Sequence, residues 1–231
     1  MVHKILNSYK SIIFLNGDFP NKKLFDFIDL NVTIIAADGA SDKLKNYSIN
    51  PNFNIGDGDS IGEKKSNSFI KILDQNKTDF EKAIIFAKKL NLLPSLVLGF
   101  GGGEIDHIIG NAQIMTKYSD KKELFFLDTY PTINGFGTKL GVVLNNEFNI
   151  KLNIGSTITI IPFKESLITT QGLKWDLKEK RINSNFFSLR NYNISKIVTF
   201  KLKKGRALII LDITKNISSL KKQLKRILFN I

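Results

Sequence analysis

Residues 54–61 read Asn-Ile-Gly-Asp-Gly-Asp-Ser-Ile, with two carboxylates, Asp57 and Asp59, held two positions apart by glycines. Glycine lets the backbone adopt positive φ and approach a ligand closely. In an extended or turning backbone this spacing can direct both carboxylates at one point, and a hard cation such as Mg²⁺ prefers oxygen ligands of this kind. Glycine and aspartate also form ordinary turns, so the stretch alone is more typical of a polar turn.

The sequence around this stretch alternates between two patterns up to about residue 128. Short apolar runs predict strands, and they occur at residues 11–15, 32–37, 53–55, 69–73, 95–98 and 124–127. Between them, apolar residues at helical spacing predict helices, including residues 22–30 and 105–115. Thr78 and Glu81 have the form of a capping box at the start of another helix. Strands that alternate with helices predict a parallel α/β sheet.

The pattern changes in the second half of the chain. Short β-rich runs at residues 141–144, 156–161, 194–202 and 206–213 are separated by turn residues, and they predict a sandwich or barrel. We therefore predict an α/β domain with a mainly parallel sheet over residues 1–135 and an all-β sandwich over residues 136–231. Residues 217–231 are basic and amphipathic, and they predict a helical C-terminal extension of the second domain.

Composition excludes several classes of site. The chain has 231 residues, no cysteine and a net charge of +13, so disulfides and Cys-ligated metal centres are excluded. No apolar run approaches the length of a membrane span, and the first residues lack a signal-peptide pattern, so we expect a cytoplasmic protein without membrane partners. The positive residues are scattered lysines without a basic stripe of stacking aromatics, so we expect a solvated surface and not a nucleic-acid partner.

Acidic side chains follow the predicted strands or open the predicted helices. They are Asp38, Asp57, Asp59, Asp74, Asp79 and Asp106. Ligands of open parallel sheets bind beyond the carboxyl ends of the strands, so we expect these carboxylates to converge there. Like charges repel at close range, so such a group predicts bound cations. The glycine-rich residues 99–103 fit neither a P-loop nor a dinucleotide fingerprint, but they can offer N–H groups to phosphate at a helix start.

Four ordered blocks resemble those of the thiamine pyrophosphokinase family. They are Ala-Asp-Gly-Ala at 37–40, Gly-Asp-Gly-Asp-Ser-Ile at 56–61, Asp-Gln-Asn-Lys-Thr-Asp at 74–79 and Gly-Gly-Glu-Ile-Asp-His at 102–107. Gly-Leu-Lys-Trp-Asp-Leu at 172–177 and Ser184-Asn185 resemble the thiamine-side motifs of that family. The resemblance spans about residues 10–212, and the order and spacing of the blocks make it specific.

The resemblance implies an activity and an assembly. The activity is transfer of diphosphate from ATP to the hydroxyl of thiamine, with Mg²⁺ as cofactor and AMP as product. Residues 1–135 would form the catalytic ATP- and Mg-binding domain, and residues 136–231 the thiamine-binding sandwich. The family also implies a homodimer whose active sites are shared between subunits.

The resemblance also implies roles for particular residues. Asp57, Asp59 and Asp79 would hold Mg²⁺, and with Asp38 they form the catalytic carboxylates; which of them acts as the base is left open. The implied substrate-binding residues are Gln75, Thr78, Asp106, His107, Trp175, Ser184 and Asn185. The implied nucleotide-binding residues are Gly101, Gly102, Gly103 and Lys77. The family usually has arginine where Glu104 stands, so either Lys77 or another lysine replaces it or nucleotide binding differs.

Two other functions fit parts of the same pattern. A pterin pyrophosphokinase of related fold would share the α/β architecture but lack Trp175 and the Ser184-Asn185 pair. A non-catalytic thiamine-binding protein is favoured if Glu104 prevents ATP binding. Formation of AMP from ATP and thiamine separates the catalytic from the non-catalytic interpretation.

Overall fold

The chain folds into two compact units. The protein is described here by a computed structural model, which covers residues 9–37, 39–57, 69–119, 123–186 and 188–217. The division lies between Asp128 and Thr129, so the first unit ends earlier than the predicted domain boundary at residue 135.

The first unit is built on a parallel sheet. Its strands are β1 (Ser11–Phe14), β2 (Thr33–Ala37), β3 (Phe53–Gly56), β4 (Phe69–Lys71), β5 (Ser95–Leu98) and the first part of β6 (Leu124–Thr132). Their order is β6-β5-β1-β2-β3-β4, and Ile13 of β1 lies opposite Ile35 and Val97. The whole of β1 is buried, as expected for a parallel strand covered on both faces. The predicted parallel α/β arrangement is therefore confirmed for this part of the chain.

Three α-helices and one 3-10 helix accompany this sheet in the described part of the first unit. They are α1 (Ala40–Lys45), α2 (Asp79–Lys89), α3 (Ile105–Tyr118) and the 3-10 helix Lys22–Phe27. The predicted capping box is present, because Thr78 Oγ1 accepts from the Glu81 N–H at 3.2 Å and Glu81 Oε2 accepts from the Thr78 N–H at 3.3 Å. The buried stripe of α2, with Ala83 and Ile84 at its centre, faces β2 and β3.

The apolar residues of α3 are divided between core and solvent. Ile114 and Met115 are buried, whereas Ile105 is 74% exposed and Ile109 is 55% exposed. The helical spacing that predicted α3 is therefore correct, but its first two turns present isoleucines to the surface of this unit.

The second unit contains β-strands in two antiparallel sheets. The strands are β7 (Gly135–Leu144), β8 (Glu147–Lys151), β9 (Thr157–Pro162), β10 (Ser166–Gln171), β11 (Lys180–Ile182), β12 (Ser188–Tyr192), β13 (Ile197–Lys204) and β14 (Ala207–Asp212). One sheet has the order β12-β9-β14-β7, with the end of β6 beside β7, and the other has the order β11-β10-β13-β8. Burial alternates along β9 and β13, so one face of each sheet is covered.

The C-terminal helix predicted over residues 217–231 lies almost entirely outside the described residues and stays a prediction. Within the ranges that the structure describes, no helix is both long enough and apolar enough to cross a membrane.

Candidate active site

A cleft of about 590 Å³ opens at the carboxyl end of the parallel sheet. It is lined by Asn16 and Gly17 after β1, by residues 78–80 at the start of α2 and, around the start of α3, by residues 102–104 together with Asp106 and His107. Parallel sheets place their ligand sites at this end, because loops and helix N-termini meet there. Of the predicted site residues, Thr78, Asp79, Gly102, Gly103, Asp106 and His107 line this cleft.

Gly17 lines the cleft, and behind it main chain packs against main chain; we call Gly17, Gly99 and Gly101 the glycine floor. The N–H of Gly17 donates to the Gly99 carbonyl at 3.1 Å, and the N–H of Asp18 donates to the Gly101 carbonyl at 2.7 Å. A Cβ at Gly17 would lie 2.2 Å from the Gly101 oxygen, and Gly99 has a φ of +70° with the Leu15 oxygen 2.3 Å from its Cβ position. Both positions therefore require glycine.

Lys82 joins two of the predicted metal ligands. Its Nζ lies 2.9 Å from Asp79 Oδ1 and 3.9 Å from Asp57 Oδ2, and its side chain is only 2% exposed. Asp79, the first residue of α2, and Asp57, the residue after β3, thus both lie near the buried ammonium group of Lys82. Asp57 itself is not among the cleft-lining residues and is linked to them through Lys82 and Asp79. Asp38 and Asp59, the other predicted catalytic carboxylates, lie outside the described residues.

Lys82 was not predicted as a site residue. The usual expectation is that lysine lies at the surface, and the stripe of apolar residues that predicts α2 does not include it. The available signal is the spacing of Asp79 and Lys82, which are three positions apart at a helix start and therefore neighbours on the helix surface.

The segment before α2 contributes one contact to this group. Gln75 Nε2 donates to Asp57 Oδ2 at 3.4 Å, so the predicted substrate-binding amide lies beside a carboxylate. Lys77, predicted to bind nucleotide, instead forms an ion pair with Asp74. The hydrogen bond from Lys77 holds the pKa of Asp74 below its usual value, and the same bond raises the pKa of Lys77. The charge of Lys77 is thus partly compensated within its own turn.

A second lysine that sequence reasoning missed lies at the rim of the cleft. Lys43 of α1 donates from Nζ to the carbonyl oxygens of Asn16 at 2.5 Å and Gly17 at 3.1 Å. Both acceptors line the cleft. An ammonium group has three N–H donors, and the described residues supply hydrogen-bond acceptors for two of those of Lys43.

The start of α3 carries a second acidic group. Glu104, Asp106 and His107 are exposed, and one ligand atom from each lies within 4.8 Å of the others. Glu104 is the N-cap of α3 but makes no side-chain capping bond, whereas Asp106 Oδ1 accepts from the His107 N–H at 2.9 Å. These three side chains have the donor types of a metal site. At Glu104 a carboxylate stands at the position where the family resemblance implies an arginine.

The predicted thiamine-side residues lie in the second unit. Trp175 is 60% exposed, and its ring meets that of Tyr192 edge-on, with centroids 5.5 Å apart. Ser184 and Asn185 are exposed in a turn in which Asn183 Oδ1 accepts from the Asn185 N–H at 3.0 Å. The described contacts of Trp175 go to Asn191 and Tyr192 and none goes to this turn.

Residues 26–126 match the family model described as thiamin pyrophosphokinase, catalytic domain. The chain carries a thiamin pyrophosphokinase catalytic domain. The matched range includes Asp57, Asp79, Lys82 and the start of α3, so it contains most of the cleft just described. The family predicted from the sequence blocks is confirmed. No curated protein is significantly similar in sequence to this chain.

Solved structures of the same family share the fold. Thiamine pyrophosphokinase from Bacillus subtilis matches with a TM-score of 0.72 and 22% identity, covering 88% of this chain and 99% of that chain. Thiamin pyrophosphokinase from Geobacillus thermodenitrificans matches with a TM-score of 0.71 and 20% identity, covering 87% of this chain and 96% of that chain. Thiamin pyrophosphokinase from Candida albicans gives 0.69 and 13%, covering 91% of each chain. At these identities the comparison establishes the fold over both units.

Proposed function

We propose that the protein transfers diphosphate from ATP to the hydroxyl of thiamine, giving thiamine diphosphate and AMP. The observation that carries the proposal is the family catalytic domain over residues 26–126, within which Asp57 and Asp79 meet at one buried cation. Transfer of a phosphoryl-type group depends mainly on positioning and on compensation of the charge that develops on the phosphate oxygens. The cleft at the sheet end offers backbone amides, carboxylates and a rim lysine for those two tasks.

Magnesium is the cofactor we propose, held by Asp57, Asp59 and Asp79. Two of these residues fit the role on the described contacts, since both direct carboxylate oxygens toward the same ammonium group. Hard cations such as Mg²⁺ take carboxylate oxygens and retain water for phosphate. When bound, the ion would compensate the negative charge of the triphosphate. Asp38 or another of these carboxylates would orient or deprotonate the thiamine hydroxyl.

The triphosphate would bind over the glycine floor and the start of α3. Gly101, Gly102 and Gly103 precede a helix of 14 residues, and helix N-termini favour anions because their N–H groups are unpaired. Lys43 donates hydrogen bonds to the carbonyl oxygens of Asn16 and Gly17 beside this floor. It would supply the positive charge that the family places at the position of Glu104. Lys77 would contribute at longer range, since it is already paired with Asp74.

Thiamine would bind through the second unit, which we propose to be a β-sandwich formed by its two antiparallel sheets. The exposed ring of Trp175 supports this, since a thiazolium cation over an indole face gains cation–π attraction. Ser184 and Asn185 would hydrogen-bond the aminopyrimidine. The exposure of both residues is compatible with this role.

The assembly we propose is a homodimer in which the carboxylates of one subunit and Trp175 of the other complete each active site. An Asp59→Asn subunit mixed with a Trp175→Ala subunit tests this directly. In the heterodimer of a shared-site enzyme, one site carries both lesions and the other carries none, so activity reappears on mixing. Confirmed heterodimers with no activity above the parental average would exclude shared sites.

The proposed reaction is tested by AMP formation from ATP and thiamine with Mg²⁺ present. We expect AMP and thiamine diphosphate in equal amounts, and no AMP when a hydroxymethyl pterin replaces thiamine. Glu104 favours one rival function, a thiamine-binding protein without catalysis, because a carboxylate beside the phosphate site opposes ATP binding. Thiamine binding without AMP release would establish that rival, and AMP release with the pterin alone would establish a pterin enzyme.

A further inference from the structure

Asn191 holds both backbone groups of the exposed Trp175. Asn191 Nδ2 donates to the Trp175 carbonyl oxygen at 2.8 Å, and Asn191 Oδ1 accepts from the Trp175 N–H at 3.4 Å. The residue Asn191 is 3% exposed, whereas Trp175 is 60% exposed. A ring that is mostly in solvent has little packing to fix it, so its position depends on the backbone from which it projects.

The local backbone is arranged to direct Asn191 inward. The pairing of β12 with β9 shifts register between Ser188 and Asn191, and Arg190 has a φ of +54°. A bulge of this kind redirects the next side chain, and a left-handed conformation at a non-glycine residue carries strain. Asn191 then lies opposite Ile158 on the buried side of the strand, where its amide needs hydrogen-bond partners. The Trp175 backbone supplies one partner for each end of the amide, and the Tyr192 N–H also donates to Asn191 Oδ1, at 2.9 Å.

The neighbouring contacts fix the same segment from its other side. The Lys174 N–H donates to the Tyr192 carbonyl at 2.9 Å, and the ring of Tyr192 meets that of Trp175 edge-on. Asp176 Oδ1 accepts from the Leu173 N–H at 3.1 Å and thereby closes the turn. Trp175 therefore projects from a turn whose backbone is bonded to β12 at two successive residues.

We propose that Asn191 is a positioning residue that fixes Trp175 before its ligand binds. The expected effect on thiamine affinity rests on the proposed thiamine-binding role of Trp175. The claim that Asn191 restricts the motion of Trp175 does not depend on that role. A ligand that stacks on a fixed ring does not have to order that ring, so its affinity is higher than for a mobile ring. Loss of Asn191 would therefore affect thiamine binding and leave the chemistry at the carboxylates unchanged.

The test uses the emission of Trp175, which is the only tryptophan in the sequence. In Asn191→Ala we expect faster anisotropy decay and stronger acrylamide quenching. Both measurements respond to motion of the Trp175 side chain on the nanosecond scale, which should increase when Asn191 is lost. The KM for thiamine should rise about three- to tenfold, the equivalent of ordering one side chain, while kcat changes by less than about twofold. Asn191→Asp keeps the acceptor but loses the donor, and it serves as the second variant if Asn191→Ala does not fold.

Asn193→Ala is the matched control. Asn193 is also fully buried, but its amide bonds Ser156 and Ser195 and not the Trp175 backbone. The proposal would be overturned if anisotropy decay and acrylamide quenching in both Asn191 variants equalled those of the wild type. Equal changes of these two quantities in the Asn193 and Asn191 variants would overturn it as well. If the Asn191 variants mobilise Trp175 while neither they nor Trp175→Ala alter thiamine binding, the positioning role stands and the proposed role of Trp175 in binding thiamine fails.

Discussion

Lys82 Nζ donates to Asp79 Oδ1 at 2.9 Å from a side chain that is almost completely removed from solvent. One turn of helix thus carries both the carboxylate and its counter-ion. The lysine ammonium group compensates Asp79 and lies 3.9 Å from Asp57. We therefore expect the stability of this group of residues to depend both on Lys82 and on the magnesium ion proposed above.

Lys82→Met should lower the free energy of unfolding by about 3 kcal/mol, since it removes the buried ammonium group that pairs with the partly buried carboxylates of Asp57 and Asp79. Urea denaturation measures the loss. If Mg²⁺ binds Asp57 and Asp79 as proposed, it should raise the melting temperature more in this variant than in the wild type, because the Lys82 ammonium group no longer competes for the two carboxylates. Lys45→Met is the control: Lys45 pairs with Asp42 at 2.6 Å, but both side chains are exposed, at 71% and 49%, so its loss should cost less than about 1 kcal/mol. Equal losses in the two variants would contradict the burial argument.

Asp57→Asn should lower turnover by orders of magnitude in a protein that stays folded. Neutralisation of phosphate charge by a bound metal is worth several kcal/mol, and the neutral amide oxygen holds a divalent cation more weakly than the carboxylate does. Steady-state AMP formation at saturating Mg²⁺ measures the effect, with circular dichroism to verify folding. Asp42→Asn, which alters an exposed carboxylate paired with Lys45 on α1, should leave turnover unchanged. Near-normal activity of Asp57→Asn would refute the metal-ligand assignment.

Lys43→Met should raise the KM for ATP about fivefold, because it removes a charged donor at the rim of the cleft. The value for thiamine should be unchanged. Lys45→Met removes an exposed lysine from the same helix, one that is paired with Asp42, and it should have no effect on either KM. A Lys43 variant with the wild-type KM for ATP would remove this residue from the nucleotide site.

Glu104→Arg should tighten ATP binding, since it exchanges a carboxylate for a fork of donors beside the start of α3. Equilibrium binding of a non-hydrolysable ATP analogue is the measurement, and Glu104→Gln separates loss of negative charge from gain of positive charge. Weaker binding by the arginine variant would mean that the cleft is adapted to the carboxylate, with Lys43 as its partner cation.

The buried Tyr9 makes the stability of the first unit depend on pH in the alkaline range. Its hydroxyl donates to the Asp29 carbonyl at 3.1 Å and accepts from the Asp29 N–H at 2.6 Å, and burial raises its pKa to about 12. The folded protein favours the neutral phenol, so this contribution is complete below the unfolded pKa near 10 and is lost as the pH rises toward 12.

Between pH 9 and pH 11, wild-type protein should lose about 1.4 kcal/mol more stability than Tyr9→Phe. Urea denaturation at both pH values gives the difference, and the constant cost of the lost hydrogen bonds cancels within each protein. Tyr47→Phe keeps Tyr9 and should follow the wild type. Parallel losses in wild type and Tyr9→Phe would show that this hydroxyl is not the source.

Helix-capping residues and apolar runs in the sequence correctly predicted several helices and strands. The capping box of Thr78 and Glu81 placed the start of α2 correctly, and the apolar run at 95–98 is β5 itself. The strands β8, β10, β11 and β12 were missed, since a strand such as β10 is buried on alternate residues only and reads as a mixed polar segment. The prediction of an α-helix over residues 22–30 was wrong in type, because a 3-10 helix capped by Asn21 ends at Phe27.

The site was less predictable than the fold because its cations come from tertiary packing. Lys82 and Lys43 are ordinary helix-surface lysines by sequence, and only the folded chain shows one buried between carboxylates and the other bonded to loop carbonyls. The exposure of Ile105 and Ile109 has the same origin, since helical spacing identifies an apolar face but not what covers it. The proximity of Asp57 and Asp79 to one another could be anticipated, because the loops after parallel strands and the starts of the following helices share one edge of the sheet.

The glycine floor beneath the cleft limits how this protein can evolve. Side chains at Gly17 or Gly99 would collide with carbonyl oxygens, and the amides there are identical whatever the rest of the sequence becomes. Point mutation can therefore abolish this surface but cannot give it a new shape. A descendant that uses a different nucleotide has to change the rim, at positions such as Lys43 and Glu104, and divergence among natural relatives is expected to concentrate there.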